Sequence, residues 1–443
     1  MVNERQQPVS DLWNPGIVFA QLTDVGMRRA NNQDSLACLP AKTSERFWDR
    51  GHLFVVADGM GAHAAGELAS KMATERIAMQ FFRSPSLTTS EALRAAVIDA
   101  NDEIHQRGQS NPEFHNMGTT ASALVICPDG ALVGHVGDSR VYRLRGGAFE
   151  QLTFDHSLVW EMEATGQTGQ GIPRNVITRS LGPNAVVDVD VEGPFPVQAG
   201  DQFLLCSDGL TGLVEDNEIG VLLDCLPEDK AVRVLVDLAN LRGGPDNTSV
   251  IVVKVVEPIG GNDTARKPKQ RHPEPVVSRA ILGTVAICVI GAILLAIMSV
   301  ADPFDPDQPG DRNWIGPMVV AIMLGAITSA IAVFQWLTAG KRDPIRGNLK
   351  GAKGPYRRYD ATPNRSLYEK LGDTVQALKD AANQNNWMMD WQKVDAHQQQ
   401  GRESLGNKDI KAAIRSQSEA VIETMNQLRE QNNRAANETS VDY

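Results

Sequence analysis

HLFVVADGMGAH (His52–His63) decides how the chain folds. Leu53 to Ala57 form a strand-length apolar run that ends directly in Asp58 and Gly59. The pattern recurs on both sides of this stretch. ALVGHVGD (Ala131–Asp138) ends in Asp138, and DQFLLCSD (Asp201–Asp208) ends in Asp208. Asp246 stands just before TSVIVVKVV (Thr248–Val256), and Asp34 closes TDVGMRRANNQD (Thr23–Asp34). For one such residue, an aspartate beside a turn is the plain explanation. Five at strand edges in one domain read differently, because a carboxylate at the end of a buried strand is costly unless it is paired or ligates a cation. Oxygen ligands without His or Cys partners favour Mg²⁺ or Mn²⁺ over Zn²⁺.

The surrounding chain, Ile17 to Val256, alternates apolar strand runs with turn residues and with two helical stretches. Gly66–Phe82 and Ser90–Arg107 place apolar residues at i, i+3 and i+4, and Ser90 is the expected N-cap of the second. A formal net charge of −11 argues against a nucleic-acid partner, which would require clustered Lys and Arg. The five cysteines form no CxxC pair and fit a reducing compartment. The N-terminus has no apolar core of a signal peptide, so the first domain is expected in the cytosol.

Eight motifs stand in order: TDVGMRRANNQD, ADGMGAH, GTT, VGDSR, LTFDHS, RNVITRSLG, CSDGL and PDNTSVIVV. Together they resemble the bacterial branch of the metal-dependent type 2C protein phosphatases, over about Ile17–Val256. The resemblance implies an α+β fold, a four-layer α-β-β-α sandwich, and hydrolysis of phosphoserine and phosphothreonine by a water bridging two Mn²⁺ or Mg²⁺ ions. It implies that Asp58 bridges the two metals and that the Gly59 carbonyl serves the second. Asp208 and Asp246 would complete the first, Asp34 would reach the second through water, and Asp138 would belong to a third, weaker site. Substrate phosphate is assigned to Arg29 by alignment to RxxN, with the adjacent Arg28 as the alternative. Met60 stands where animal members carry a proposed general-acid histidine; His63 and His156 are candidates for that role, each read first as structural. Residues 155–176 should include a variable flap. Phosphorylated Ser/Thr proteins, among them a Ser/Thr kinase, are the implied partners. The alternative is a non-catalytic phosphatase-like binding module.

The organisation expected from sequence is an N-terminal extension (1–16), the phosphatase-like domain (17–256), a flexible basic linker (257–279) and a transmembrane helix (280–301). An acidic external loop (302–313), a second transmembrane helix (314–339), a basic juxtamembrane segment (340–363) and a polar helical cytoplasmic tail (364–443) follow. The two uncharged runs of 22 and 26 residues are each long enough to span a bilayer. Lys and Arg on both outer flanks place the domain and the tail on the cytoplasmic side of the inner membrane, with the helices in contact with lipid. In the tail, Leu367, Leu371, Val375 and Leu378 follow helical spacing, as do Ile410, Ala413, Ile414, Ala420, Val421, Met425 and Leu428. These are read as amphipathic helices that pack together or against an unidentified partner, with a faint likeness to one tetratricopeptide unit.

Overall fold

The computed structural model describes residues 13–61, 64–84, 86–166, 176–258 and 354–440, which all belong to one compact unit. Two antiparallel sheets form its centre. The first runs β1 (Ile17–Asp24), β11 (Thr248–Val255), β10 (Gln202–Cys206), β7 (Arg140–Arg145), β8 (Ala148–Gln151) and β12 (Arg357–Asp360). The second runs β2 (Asp34–Leu39), β3 (His52–Met60), β5 (Ala121–Cys127), β6 (Gly130–Val136) and β9 (Asp190–Phe195), with the short β4 (Gly118–Thr119) paired to the end of β3.

The apolar runs of the sequence follow from this stacking. Side chains along a strand alternate between faces. Phe54 and Val56 meet Phe203, Leu205, Ile251 and Val253 between the sheets, while Leu53, Val55 and Ala57 face outward to helices. Both faces are covered, so the strands are apolar throughout instead of alternating with polar residues. The helices over this sheet are α2 (Ala65–Arg83) and α3 (Thr89–Ser110). The cap of α3 is Thr88 and not Ser90: Thr88 and Glu91 exchange hydrogen bonds as a reciprocal capping box, for which Ser90 has no glutamate three residues on. Over the other sheet lie α6 (Asp216–Cys225) and α7 (Glu228–Leu241). The short helices α1 (Ser44–Arg50), α4 (Leu158–Ala164) and α5 (Asp208–Thr211) complete the layers.

The C-terminal residues add a further layer to the same unit. Of α8 (Arg365–Gln384), α9 (Gln392–Gly406) and α10 (Ile410–Ser440), α10 packs onto α6 and α7, α8 onto α7 and α10, and α9 onto α10. Leu367, Leu371, Val375, Val394, Ile414 and Val421 share one core with Leu222, Leu235 and Leu238. At Gly220 of α6 a Cβ would lie 2.9 Å from Phe149 and 3.0 Å from Ala361, so glycine lets α6 approach the sheet and the chain after β12 closely. Ion pairs border the contact: Lys370 with Glu215 at 2.7 Å, Lys411 with Asp224 at 2.8 Å, and Arg429 with the buried Asp237 at 2.9 Å.

The multi-pass membrane reading is corrected here. Among the described residues no helix is long and apolar enough to cross a membrane. The long helices α3, α8 and α10 carry charges along their length and bury one face in protein. The runs 280–301 and 314–339, the loop between them and most of both basic flanks lie outside the described residues.

Candidate metal centre

The acidic centre forms where strands of both sheets end. Asp34 and Asp58 are direct cross-strand partners at the end of the β2–β3 ladder. Asp58 is locked by the GTT motif: its N–H donates to Thr120 Oγ1 at 2.9 Å, and its carbonyl accepts from Thr120 N at 2.8 Å and Thr119 Oγ1 at 2.9 Å. Gly59 follows, with its N–H on the Gln33 carbonyl at 3.0 Å. A Cβ there would lie 2.1 Å from the Gly66 carbonyl, so only glycine lets the strand end meet the start of α2.

From the other sheet come Asp208, the first residue of α5 after β10, and Asp246, just before β11. Ser207 ties the two sheets at this edge. Its hydroxyl donates to Asp34 Oδ2 at 2.7 Å and accepts from Ser249 N at 3.0 Å. Asn247 holds the first motif in place: its amide donates to the carbonyls of Val25 and Asn31 at 2.8 and 3.0 Å, and its oxygen accepts from Gln33 N at 2.8 Å. Arg29, the arginine singled out in that motif, is exposed and pairs with Asp246 at 2.8 Å.

The carboxylates perturb one another. Burial, then Asp208 and Asp246, push Asp34 up to about 7. Asp58 lies well above the ordinary carboxylate range, first by burial and then by the charges of Asp34, Asp208, Asp138 and Asp246. Burial followed by Asp246 raises Asp208. Asp138, in the turn after β6, is 6% exposed and is pushed up to about 8 by burial, then by Asp208 and Asp155. Asp34 Oδ1 and Asp138 Oδ1 are both buried without a hydrogen-bond partner. Among the described residues, no three His, Cys, Asp or Glu side chains meet the spacing of a ready-made ion cage. Asp58 and Asp208 nonetheless come within hydrogen-bonding reach of each other, and the charges of Asp34, Asp138 and Asp246 act on Asp58 as well. Two orphaned oxygens in an all-carboxylate set fit hard divalent cations, which would remove the repulsion.

The loop of Asp138 is built into its surroundings. Ser139 Oγ shares a hydrogen bond with Thr120 Oγ1 at 2.7 Å, and Arg140 pairs with the buried Asp155 at 2.7 Å. His156 is buried; its Nδ1 accepts from Gly137 N and its Nε2 faces Asp190, both at 3.0 Å, so the ring is a structural brace. His63 and residues 167–175 of the expected flap lie outside the described residues. A cavity of about 390 Å³ opens beside Asp34, lined also by Asn32, Glu67, Lys71 and Thr74. The residues that sequence reasoning left without a role are Asn247, Ser207 and Thr120. All three lie inside the quoted motifs, and their side chains hold the loops that carry the carboxylates.

The family model described as Protein phosphatase 2C matches residues 27–238. The protein phosphatase PhpP of Streptococcus pneumoniae is 36% identical over 245 residues, covering 53% of this chain and 96% of the relative. The chain belongs to the type 2C protein phosphatase family. The serine/threonine phosphatase stp of Listeria monocytogenes is 35% identical over 242 residues, 52% of this chain and 93% of its own length. Among solved structures, the Mycobacterium tuberculosis serine/threonine phosphatase PstP/Ppp is 33% identical, with coverage of 54% of this chain and 99% of its own, and a TM-score of 0.49. A structure of the PstP catalytic domain in complex with 2 manganese ions is also 33% identical, covering 54% and 99%, at a TM-score of 0.47.

Proposed function

We propose that this type 2C family member hydrolyses phosphoserine and phosphothreonine in proteins, opposing a Ser/Thr kinase. The observation that carries the reading is the centre itself: Asp34, Asp58, Asp138 and Asp208 are held at converging strand ends with raised proton affinity, and two of them keep an orphaned buried oxygen.

Asp58, the Gly59 carbonyl, Asp208, Asp246 and Asp34 would hold two Mn²⁺ or Mg²⁺ ions, with Asp138 at a third position. When bound, such ions supply Lewis acidity that makes hydroxide from water near neutral pH and neutralises phosphoryl oxygens. The protein's own groups do the positioning. Arg29 presents a planar fork suited to two phosphate oxygens, and leaving Asp246 for the phosphate keeps it at the same edge. Thr119, Thr120, Ser207 and Asn247 fix the carboxylates beforehand, so little reorganisation is left for the reaction. Burial and neighbouring carboxylates raise the proton affinity of Asp58 and Asp208, and a bound cation would favour their ionised form.

The test is release of inorganic phosphate from a phosphothreonine peptide by the full chain. Turnover that requires added Mn²⁺ or Mg²⁺ is expected. Binding of the peptide without turnover at any metal concentration would establish the non-catalytic module in its place.

A further inference from the structure

The two relatives are aligned over nearly their whole length to about half of this chain, which leaves little of either to pair with residues 354–440. One route from that extra layer toward the candidate centre runs through β12, apart from the Arg429–Asp24 pair at 3.3 Å on the first motif. Tyr356 N donates to the Gln151 carbonyl at 2.9 Å, and β12 then pairs with β8 from Arg357↔Gln151 to Asp360↔Ala148. The Gln151 amide donates to Asp155 at 2.7 Å, and Asp155 grips Arg140, two residues after Asp138. The neighbouring His156 exchanges two hydrogen bonds with Gly137, at 2.8 and 3.0 Å.

α4 begins two residues beyond, and the domain holds it by a few contacts: Leu158 N donates to the Val176 carbonyl at 2.9 Å, Thr178 Oγ1 donates to Glu161 at 2.5 Å, and the Arg140 guanidinium lies 5.7 Å from the Trp160 ring centroid. It has seven residues, buries only Trp160, and its N-cap Ser157 makes no side-chain cap. The side chains of the returning strand add closer contacts to these. The Arg357 guanidinium lies 3.8 Å from the centroid of the Trp160 ring and pairs with Glu163 at 2.6 Å. Tyr356 packs edge-on against Phe154, which meets Trp160 edge-on, and its hydroxyl donates to Glu192 at 2.6 Å. The Arg357–Glu163 pair is 37% and 50% exposed, so water screens it and it contributes little. The contact with the mostly buried Trp160 face is the stronger one, indole being the best ring for a cation. Anchoring of the C-terminal helices does not need these side chains, because Leu367, Leu371, Val375 and their neighbours already share the domain core.

We propose that Tyr356 and Arg357 form an intramolecular strap that positions α4 and, through Phe154–His156, the loop of Asp138 for binding phosphoprotein. The proposal rests on reading the carboxylate centre as the phosphatase site. Arg357 is a positioning residue that acts through Trp160.

The test uses the full chain with saturating Mn²⁺ and a phosphothreonine peptide, comparing Arg357→Ala, Arg357→Lys and Arg365→Ala. Arg365 is a control, in an exposed ion pair with Glu369 on α8. Arg357→Ala should raise KM about fivefold while kcat changes less than about twofold. Hydrogen exchange should quicken at the amides of 158–165 and not in α8–α10. Arg357→Lys, which keeps a cation over the ring, should recover most of the loss, and Arg365→Ala should match the parent. An unchanged KM with unchanged α4 exchange overturns the strap. So does equal quickening of exchange across α8–α10, which would make Arg357 a scaffold residue only. If the parent itself shows no turnover, the phosphatase reading fails, and α4 exchange in Arg357→Ala still decides the strap.

Discussion

The two outer helix pairs of the sandwich look alike in sequence order but differ in what covers them. α2 and α3 bury one stripe each: Ala69, Ala73, Ile77 and Phe81 on one, Leu93, Val97, Ala100 and Ile104 on the other. That is the pattern of a helix with protein on one side and water on the other. α7 buries Ala231, Val232 and every residue from Val234 to Asn240, most of its circumference. α6 likewise buries Glu218 to Leu223 without a break. Helices buried all round lie inside a protein, and α6 and α7 are inside because the C-terminal layer lies over them. Apolar breadth, more than amphipathicity, distinguishes a middle layer from an outer one.

The largest expected effect separates the centre from both helix layers. Asp58→Asn and Asp208→Asn should each lower metal-dependent turnover by about three orders of magnitude or more, if each is the charged metal ligand proposed above. Folding should be kept or improved, since each change also removes a repelling buried charge. Circular dichroism and phosphate release on the same samples check both halves, and near-normal turnover in either variant sinks the ligand assignment.

The second effect tests the asymmetry directly. Leu371 of α8 is fully buried in the shared core, whereas Ile98 on α3 is 37% exposed. Leu371→Ala should cost about 2–4 kcal/mol of unfolding free energy, and Ile98→Ala within about 0.5 kcal/mol. Equal costs by denaturant titration would mean that the C-terminal layer is not part of the cooperative unit. For the same reason, a fragment ending at residue 257 would expose the apolar outer faces of α6 and α7 and is expected to be less soluble than the full chain.

Arg29→Ala ranks next. Loss of a charge-assisted phosphate contact is expected to raise KM for a phosphothreonine peptide by the equivalent of about 1.5–3 kcal/mol. Metal affinity, followed by calorimetry with Mn²⁺, should change less. A collapse of metal affinity at constant KM would make Arg29 a partner of Asp246 only.

The smallest effect is in pH dependence. Without metal, burial and neighbouring carboxylates push Asp34 up to about 7 and Asp138 up to about 8 in the folded chain. Carboxylates raised in the folded state bind protons that the unfolded chain has released, so the contribution of these two to stability is fully present below about pH 4 and is lost as pH rises through about 7 to 8. Saturating Mn²⁺ should flatten that slope, because cation binding favours the ionised form. A metal-free protein whose melting temperature is constant from pH 5 to pH 8 would show that the carboxylates do not share one electrostatic site.

What the sequence determined on its own is local and repetitive. The apolar runs ending in Asp58, Asp138 and Asp208 marked strands covered on both faces, and the order of the eight motifs marked the family; both can be read from adjacent residues. Only tertiary structure decided the rest. The exchange of hydrogen bonds among Thr120, Ser139 and Asp58, and the stitching of the first motif by Asn247, join residues 19 to 216 positions apart. The destination of the C-terminal helices was also beyond reach. Leu367, Leu371 and Val375 announce an apolar face but not its partner, because helical periodicity gives a face its direction and leaves its contact unspecified. The partner was already in the chain, in the broadly buried surface of α6 and α7, apolar residues with the buried Asp237 among them, and that complementarity becomes visible only when both surfaces are folded.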